Sequence, residues 1–282
     1  MREVIFSADD FGMSVEVNEA IETACRNGLL STASLMVAGP AAADAVERAR
    51  RLPGLRVGLH LVVIEGPSVL PPGEIPLLVS PAGMFPSDQL RLGVNYFFRP
   101  AVRRQLAREI RAQFEAFART GLRLDHANAH KHMHLHPTVG GLLVKIGASY
   151  GLPAVRIPCE PTEPLQAAGY FAETIGDYVL RQWTRLLRLQ VRRAEMAAND
   201  YCFGIAWSGH MTADRVAALA AHLPRGVSEI YFHPATHKDA LLNRLMPSYE
   251  HEAELAALVS PGVRAALRHS GARLITWADV AR

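Results

Sequence analysis

Short apolar runs rich in β-branched residues alternate along the chain with longer segments of helical periodicity. This alternation is typical of repeated βα units, in which helices connect parallel strands. We predict eight strands, at residues 4–8, 33–37, 56–63, 123–127, 154–157, 201–203, 229–232 and 273–276. Short strands separated by helices favour an α/β barrel.

Length and composition are those of an ordinary folded protein. At 282 residues, with 49% apolar and 20% charged residues, the chain is close to the roughly 250 residues of a single α/β barrel. We therefore predict one domain over residues 1–282. The net charge of +3 is spread along the chain, which gives no basic tail for a nucleic-acid partner.

The cysteines and the N-terminal sequence bear on the cellular compartment. Cys25, Cys159 and Cys202 show no CxxC spacing, which argues against a disulfide framework or a thiolate zinc site and favours a reducing compartment. The first residues lack a secretory-signal pattern, and no apolar run approaches the roughly 18 residues of a membrane span. We therefore expect a cytoplasmic location.

Two helices are predicted from their end signals. Ser14 is a suitable N-cap for a helix over 15–27 that ends at Gly28. Pro137 is suited to the first turn of a second helix, which runs toward residue 150.

Two stretches interrupt the βα rhythm, at about residues 64–100 and 162–197. The first carries seven prolines and ends in Tyr96, Phe97 and Phe98, and we predict a long capping loop. The second is predicted to be helical and amphipathic, with arginines along one side.

Functional residues in parallel α/β folds collect at the carboxyl ends of strands. Asp9 and Asp10 follow the first predicted strand. Two adjacent buried carboxylates repel each other, and a nearby dication removes that cost. An Asx-type turn at the strand exit is the alternative explanation of this pair.

Histidines are concentrated after the fourth predicted strand. Five of the twelve lie between His126 and His136, and neutral imidazoles are common ligands of transition metals. In an extended segment residues i and i+2 share a face but are spread along it. We therefore predict one ligand, His130, with His132 as a further site residue.

Other polar residues lie at or near strand ends. His60 is a second candidate ligand, although a lone histidine in an apolar strand is more often a hydrogen-bonded core residue. His233 is a candidate general acid, or a strand-ending histidine bonded to backbone. Arg156 could orient a carboxylate or substrate oxygen, or pair on the surface. Asp125 and Asn128 are candidate hydrogen-bonding supports of the site.

The chain resembles the YdjC/ChbG-like carbohydrate deacetylases at these residues. The resemblance rests on Ser7-Ala-Asp-Asp-Phe-Gly-Met-Ser14, Asn18-Glu-Ala-Ile21, Gly58-Leu-His-Leu61, residues 125–134, Arg156-Ile-Pro158 and His233-Pro234. It implies a deformed (β/α) barrel of the TIM type with one divalent metal ion. It further implies Asp10, His60 and His130 as metal ligands, Asp9 as general base and His233 as general acid. Zinc or magnesium is the first expectation for the metal, with manganese, iron, cobalt or nickel as alternatives.

Three segments are similar in amino-acid sequence to the hopanoid-biosynthesis-associated branch of that family, HpnK. These segments are 128–137, 207–210 and 228–236. Lys131 departs from the His-His-His run of many relatives. The branch implies deacetylation of an N-acetylglucosaminyl hopanoid lipid, and the alternative substrate is a chito-oligosaccharide.

A lipid substrate would give the interrupting stretches a purpose. We hypothesise that the arginine-rich helix over 181–193, with Phe97 and Phe98, contacts an anionic membrane surface. The alternative is a helix packed on the barrel with solvated arginines. Other functions left open are a metal-dependent phosphoesterase and a non-catalytic sugar- or lipid-binding module. A homodimer is the commonest soluble assembly, but no patch in the sequence indicates an interface.

Overall fold

The computed structural model describes residues 1–170 and 175–281, and within the helix that follows the gap it describes side chains from residue 182 onward. The strands are β1 (Arg2–Phe11), β2 (Thr32–Leu35), β3 (Arg56–Leu61), β4 (Leu124–Ala129), β5 (Tyr201–Phe203), β6 (Gly226–Phe232) and β7 (Arg273–Leu274). The α-helices are α1 (Val15–Asn27), α2 (Ala42–Arg50), α3 (Gln89–Phe98), α4 (Pro100–Arg119), α5 (Pro137–Ala148), α6 (Thr162–Ala167), α7 (Ile175–Arg193), α8 (Ala213–Ala221), α9 (Ala240–Leu245), α10 (His251–Val259), α11 (Pro261–Ser270) and α12 (Trp277–Val280).

The strands form one curled sheet in the order β4-β3-β2-β1-β6-β5, and β7 pairs with the start of β1. The strand pairings are parallel, from β3–β4 at one side to β5–β6 at the other. The buried strands and the helices around them enclose one large apolar core. The predicted fold class, a single-domain deformed (β/α) barrel, is confirmed.

The prediction of a strand at 154–157 is wrong, because these residues do not form a continuous strand. This segment makes only two isolated parallel bridges, Ala127–Val155 and Ala154–Ala197. Proline stands on both sides of it, at Pro153 and Pro158, and proline has no N–H to extend a ladder. The segment nevertheless lies between β4 and the chain leading to β5.

The two predicted helices begin where their signals indicate. The Ser14 side chain accepts a hydrogen bond from the Val17 amide, and the Gly28 amide donates to the Ala24 carbonyl at 2.9 Å. Pro137 occupies the first turn of α5. Each helix starts shortly after a group of predicted site residues.

The first interruption is only partly a loop. The irregular part of this stretch ends at Asp88, which is the N-cap of α3. Oδ1 of Asp88 accepts a hydrogen bond from the Arg91 amide at 2.9 Å. The aromatic run predicted to end a loop is therefore helical. Tyr96 fixes the helix to the barrel, since its buried hydroxyl donates to the Val63 carbonyl at 2.6 Å. Apolar residues lie on both the buried and the exposed side of α3, so a helical period is not visible in its sequence.

The second interruption contains α6 and α7. Leu187 and Val191 of α7 are buried against the core, whereas Trp183, Leu186 and Leu189 are more than a third exposed. Arg181, the first residue of the predicted arginine-rich helix, lies outside the described side chains. In the parts of the chain that the structure describes, no helix is long and apolar enough to cross a membrane.

Candidate active site

Asp10, His60 and His130 lie together at the carboxyl ends of β1, β3 and β4. Oδ1 of Asp10 lies 3.2 Å from Nε2 of His60 and 3.1 Å from Nδ1 of His130. One candidate ligand atom from each residue lies within 4.8 Å of the other two, and all three residues are buried. Oδ2 of Asp10 is buried without a hydrogen-bond partner among the described residues. One carboxylate and two imidazoles in this arrangement could hold a divalent cation and leave positions open for other ligands.

The backbone is irregular at two places in this cluster, at Asp10 and directly after His130. The pairing of β1 with β2 shifts register between Ala8 and Phe11, and Asp10 has a φ of +63°. After β4, Lys131 and His132 have φ values of +50° and +53°. Left-handed backbone costs a non-glycine residue about 1–3 kcal/mol and is often found at functional sites. The expectation of an extended histidine segment is wrong after Ala129, because residues 130–135 form a tight turn.

Asn128 connects the proposed metal ligands to the proposed base. Its Oδ1 lies 2.7 Å from Nδ1 of His60, and its Nδ2 donates to Oδ1 of Asp9 and to Oγ of Ser34, each at 3.0 Å. Since the Asn128 oxygen can only accept, Nδ1 of His60 carries a proton, and Nε2 is the ring nitrogen that faces Asp10. The network therefore fixes both the ring orientation and the tautomer of His60.

Arg156 lies between two buried carboxylates. It donates from Nη1 to Oδ2 of Asp9 at 2.5 Å and from Nη2 to Oδ1 of Asp9 at 2.9 Å. It also contacts both oxygens of Glu229 at 2.8 Å, while the Ser7 hydroxyl donates to Glu229 at 2.6 Å. Burial raises the pKa of Asp9, but the charges of Arg156 and His60 outweigh it and hold this pKa well below its ordinary value. Asp9 is therefore an ionised carboxylate in a fixed orientation.

His132 contacts the strand on the far side of this arginine. Its Nε2 lies 2.9 Å from the hydroxyl of Tyr231, and the Arg156 guanidinium lies 4.8 Å from the Tyr231 ring centre. Burial and the nearby Arg156 charge lower the pKa of His132 to about 3. A neutral imidazole beside the tyrosine follows from this environment.

His233 is partly exposed at the end of β6. Its backbone amide donates to Glu254, and its carbonyl accepts from Nδ1 of His251 at 2.6 Å. The side-chain Nδ1 of His233 has no partner among the described residues. Burial, only partly offset by Asp10 and Asp9, lowers the pKa of His233 to about 4. The backbone is thus held on both sides while the imidazole keeps hydrogen-bonding capacity for another molecule.

Asp125 is joined to this network indirectly, through His126, whose Nε2 lies 3.0 Å from Oγ of Ser34. Oδ2 of Asp125 lies 3.4 Å from Nδ1 of His126 and has no hydrogen-bond partner in the described part of the chain. Side chains alternate along a strand, so Asp125 points away from the face that carries His126 and Asn128. A supporting role for Asp125 stays a prediction without a contact to the cluster.

Sequence reasoning missed several members of the network. These are Ser7, Ser34, Glu229, Tyr231 and Glu254. Glu229 carried a usable signal, since a carboxylate in an apolar strand needs a buried partner. The serines carried none, because a small polar residue in a strand is common.

Two known deacetylases are similar in sequence to this chain over nearly its whole length. It is 29% identical over 280 residues to a carbohydrate deacetylase of Geobacillus stearothermophilus, covering 99% of this chain and 98% of the relative. It is 28% identical over 288 residues to a chitooligosaccharide deacetylase of Enterobacter, covering 98% of each.

The fold also has a counterpart among solved structures. A protein of Enterococcus faecalis, described as a candidate cellobiose-phosphate cleavage protein, superposes with a TM-score of 0.78 at 23% identity, covering 100% of this chain and 99% of that one. The family model described as YdjC-like protein matches residues 3–269. This chain therefore belongs to the YdjC-like protein family.

Proposed function

We propose that this protein is a carbohydrate deacetylase that hydrolyses the N-acetyl group of an amino sugar. The observation that carries the proposal is the placement of the fixed Asp9 carboxylate next to the Asp10, His60 and His130 cluster. The full-length similarity to two deacetylases supports the same reaction.

Asp9 is the proposed general base. Its Oδ1 accepts from both Asn128 and Arg156, whereas its Oδ2 accepts only from Arg156. A carboxylate oxygen can accept two hydrogen bonds, so Oδ2 keeps a site for the proton of an attacking water. The lowered pKa of Asp9 keeps the carboxylate ionised, but it also makes a weak base that requires an acidified water.

The cluster provides the groups for a cation that would acidify this water. The unpartnered Oδ2 of Asp10, and Nε2 of His60 facing the same carboxylate, fit a divalent metal ion held by Asp10, His60 and His130. Such an ion would supply Lewis acidity, polarising the acetamide carbonyl and lowering the pKa of water. Zinc and magnesium are our first candidates, and manganese, iron, cobalt and nickel are alternatives for the same donor set.

His233 is the proposed proton donor. The water oxygen bonds to the acetamide carbon, the C–N bond breaks, and the sugar nitrogen must gain a proton to leave as an amine. The lowered pKa of His233 keeps the imidazole neutral at pH 7, so it must first receive the proton taken up by Asp9. His132 and Arg156 then act by holding Tyr231 and Asp9 in place.

The proposed substrate is an N-acetylglucosaminyl hopanoid lipid, based on the wording of residues 128–137, 207–210 and 228–236. The enzyme would then be cytoplasmic and in peripheral contact with the inner membrane surface, and we expect a homodimer. A chito-oligosaccharide is the second candidate substrate, because the Enterobacter relative is described as a chitooligosaccharide deacetylase.

Acetate release tests the reaction and the substrate together. Metal-stripped enzyme would be given an N-acetylglucosaminyl hopanoid or diacetylchitobiose, with and without added zinc or magnesium. We expect release only with metal, and more rapid release from the hopanoid. Asp9→Asn should reduce turnover by about 10²- to 10⁴-fold while the metal content is retained.

A matched variant controls for the loss of one negative charge. Glu47→Gln removes an exposed carboxylate from α2, and it should leave acetate release unchanged. Turnover by metal-loaded Asp9→Asn at the wild-type rate would contradict the role of Asp9. Release of acetate from neither substrate, by protein shown to contain metal, would contradict the proposed reaction.

A further inference from the structure

Helix α3 exposes more apolar side chain than it buries. Leu90, Val94, Phe97 and Phe98 are 73%, 56%, 48% and 71% exposed. Their spacing of i, i+4, i+7 and i+8 places them on one face of the helix. Contiguous apolar surface of this kind marks an interaction site more often than scattered apolar residues do.

This face continues onto α7. The ring of His136 lies 6.0 Å from the Phe97 ring and 5.8 Å from the Trp183 ring, joining the two helices. Trp183 and Leu186 are 37% and 38% exposed. We call the six exposed residues the α3–α7 surface, namely Leu90, Val94, Phe97, Phe98, Trp183 and Leu186.

The charge around the α3–α7 surface is predominantly positive. Residues 88–108 contain five arginines and one acidic residue, Asp88, and residues 182–194 contain four arginines and no acidic residue. Arg91 and Arg99, within and directly after α3, are both exposed. Apolar side chains with arginines beside them match the two components of an anionic lipid surface, its acyl region and its headgroups.

We propose that the α3–α7 surface binds the surface of an anionic lipid bilayer. A second copy of the chain fits this face less well, because a two-fold interface brings the same patch of each copy together. Arg91 and Arg99 of both copies would then be close, with Asp88 as the one acidic residue between positions 88 and 108 to offset them. This proposal deepens the peripheral membrane contact of the proposed function by naming the surface that makes it, and vesicle binding is measured without hydrolysis.

The α3–α7 surface lies on the same edge of the barrel as the candidate active site. His136, which joins the two helices, comes six residues after His130, and Tyr96 bonds Val63, which follows β3. Binding through this surface would therefore bring the active-site edge of the barrel close to the headgroups. A headgroup-linked acetamide could then reach the site without full extraction of its lipid.

Vesicle flotation of the full-length protein tests the proposal. We would compare vesicles of phosphatidylcholine alone with vesicles of equimolar phosphatidylcholine and phosphatidylglycerol. Wild type should float with the anionic vesicles, and Phe97→Ser/Phe98→Ser should bind roughly tenfold more weakly because two apolar anchors are lost. Arg91→Gln/Arg99→Gln should weaken binding roughly fivefold for each arginine.

Matched variants at the opposite edge of the barrel are the controls. Leu274 is 43% exposed on β7, and Arg56 and Arg123 are exposed at the amino-terminal ends of β3 and β4. Leu274→Gln and Arg56→Gln/Arg123→Gln should bind vesicles as wild type does. Circular dichroism would verify that every variant is folded.

Three results would overturn the proposal. The first is failure of wild type to float with anionic vesicles, and the second is undiminished flotation of a folded Phe97→Ser/Phe98→Ser variant. The third, from light scattering, is a wild-type dimer without vesicle binding that the same variant converts to a monomer. The last result would assign the α3–α7 surface to a second copy of the chain.

Discussion

Arg156 donates hydrogen bonds to both carboxylate oxygens of Asp9, although 147 residues separate them in the sequence. The same guanidinium is bonded to both oxygens of Glu229. One buried cation thus lies between two buried anions, and all three residues are almost fully removed from solvent. The orientation of the proposed base is consequently determined by β6 and by the irregular segment after Pro153.

Removal of the arginine charge should destabilise the fold. Arg156→Met leaves Asp9 and Glu229 buried without a cation, and breaking a buried ion pair in this way costs about 3–5 kcal/mol. Urea unfolding of the metal-free protein measures this loss. Acetate release should fall as well, since Asp9 loses two of its three hydrogen bonds.

Glu229→Gln in the Arg156→Met background serves as the matched test. It removes one of the two unpaired charges, so the double variant should be more stable than Arg156→Met alone. Equal stability of the two proteins would contradict the account of Glu229 as a charged partner of Arg156. A cost below about 1 kcal/mol for Arg156→Met would show that water or rearrangement compensates the carboxylates.

Loss of the Asn128 side chain should weaken metal binding. Asn128→Ala removes the acceptor for Nδ1 of His60, and loss of such a supporting hydrogen bond commonly lowers metal affinity by about 10- to 100-fold. Isothermal titration of stripped protein with zinc measures the change. Ser34→Ala is the control, because it removes a different bond of Asn128 and should change affinity much less. Equal effects of the two substitutions would assign the loss to general disruption of the network.

The arrangement of the barrel could be predicted because it depends on local pattern. The runs that become β1, β3 and β6 are apolar and short, and Ser14 and Pro137 are strong signals for helix starts. The convergence of Asp9 and Asp10, His60 and the histidines after β4 followed from one general property of parallel sheets, whose carboxyl ends share an edge. These residues are close in space because their strands are close in the sheet order. The choice of Asp10 over Asp9 as the ligand rested on the family resemblance.

Features that depend on tertiary structure could not be predicted in the same way. The turn at Lys131 and His132 requires left-handed backbone in two consecutive residues other than glycine, which is uncommon. The role of Glu229 depends on its ion pair with Arg156, which lies 73 residues away in sequence. The helical form of the chain at Phe97 was hidden because its exposed face is apolar, the reverse of the usual pattern for a surface helix.

Glu254 should make stability depend on pH. Burial raises the pKa of this carboxyl to about 7 from a usual 4.5, although the amides of Met211 and His233 donate to it. Because the folded-state pKa is the higher one, the stabilising contribution is complete below pH 4.5 and is lost as the pH rises through about 7. The slope should reach at most about 1.4 kcal/mol per pH unit. Urea unfolding of metal-free protein across this window should show a shallower decline for Glu254→Gln.

Glu47→Gln controls for this measurement. Glu47 is also acidic, but it is exposed on α2, so its substitution should leave the pH dependence of the unfolding free energy unchanged. Parallel curves for wild type and Glu254→Gln would contradict a raised pKa at Glu254.

Gly58 should tolerate no side chain, because β4 approaches β3 closely at this position. A Cβ added at Gly58 would lie 2.4 Å from the His126 ring and 2.5 Å from the His126 carbonyl oxygen. The ring is itself held by stacking on Trp277, with centroids 5.3 Å apart, so neither neighbour can move easily. Gly58→Ala should therefore cost about 1–3 kcal/mol of unfolding free energy through overpacking, and it should displace His60, two residues along β3.

Gly54→Ala is the matched control, since an added Cβ meets no atom within 4 Å there, and its unfolding free energy should stay within about 0.5 kcal/mol of wild type. Equal stability of the two variants in urea would show that β3 and β4 can separate without cost, which would also remove the reason for a glycine two residues before the proposed ligand.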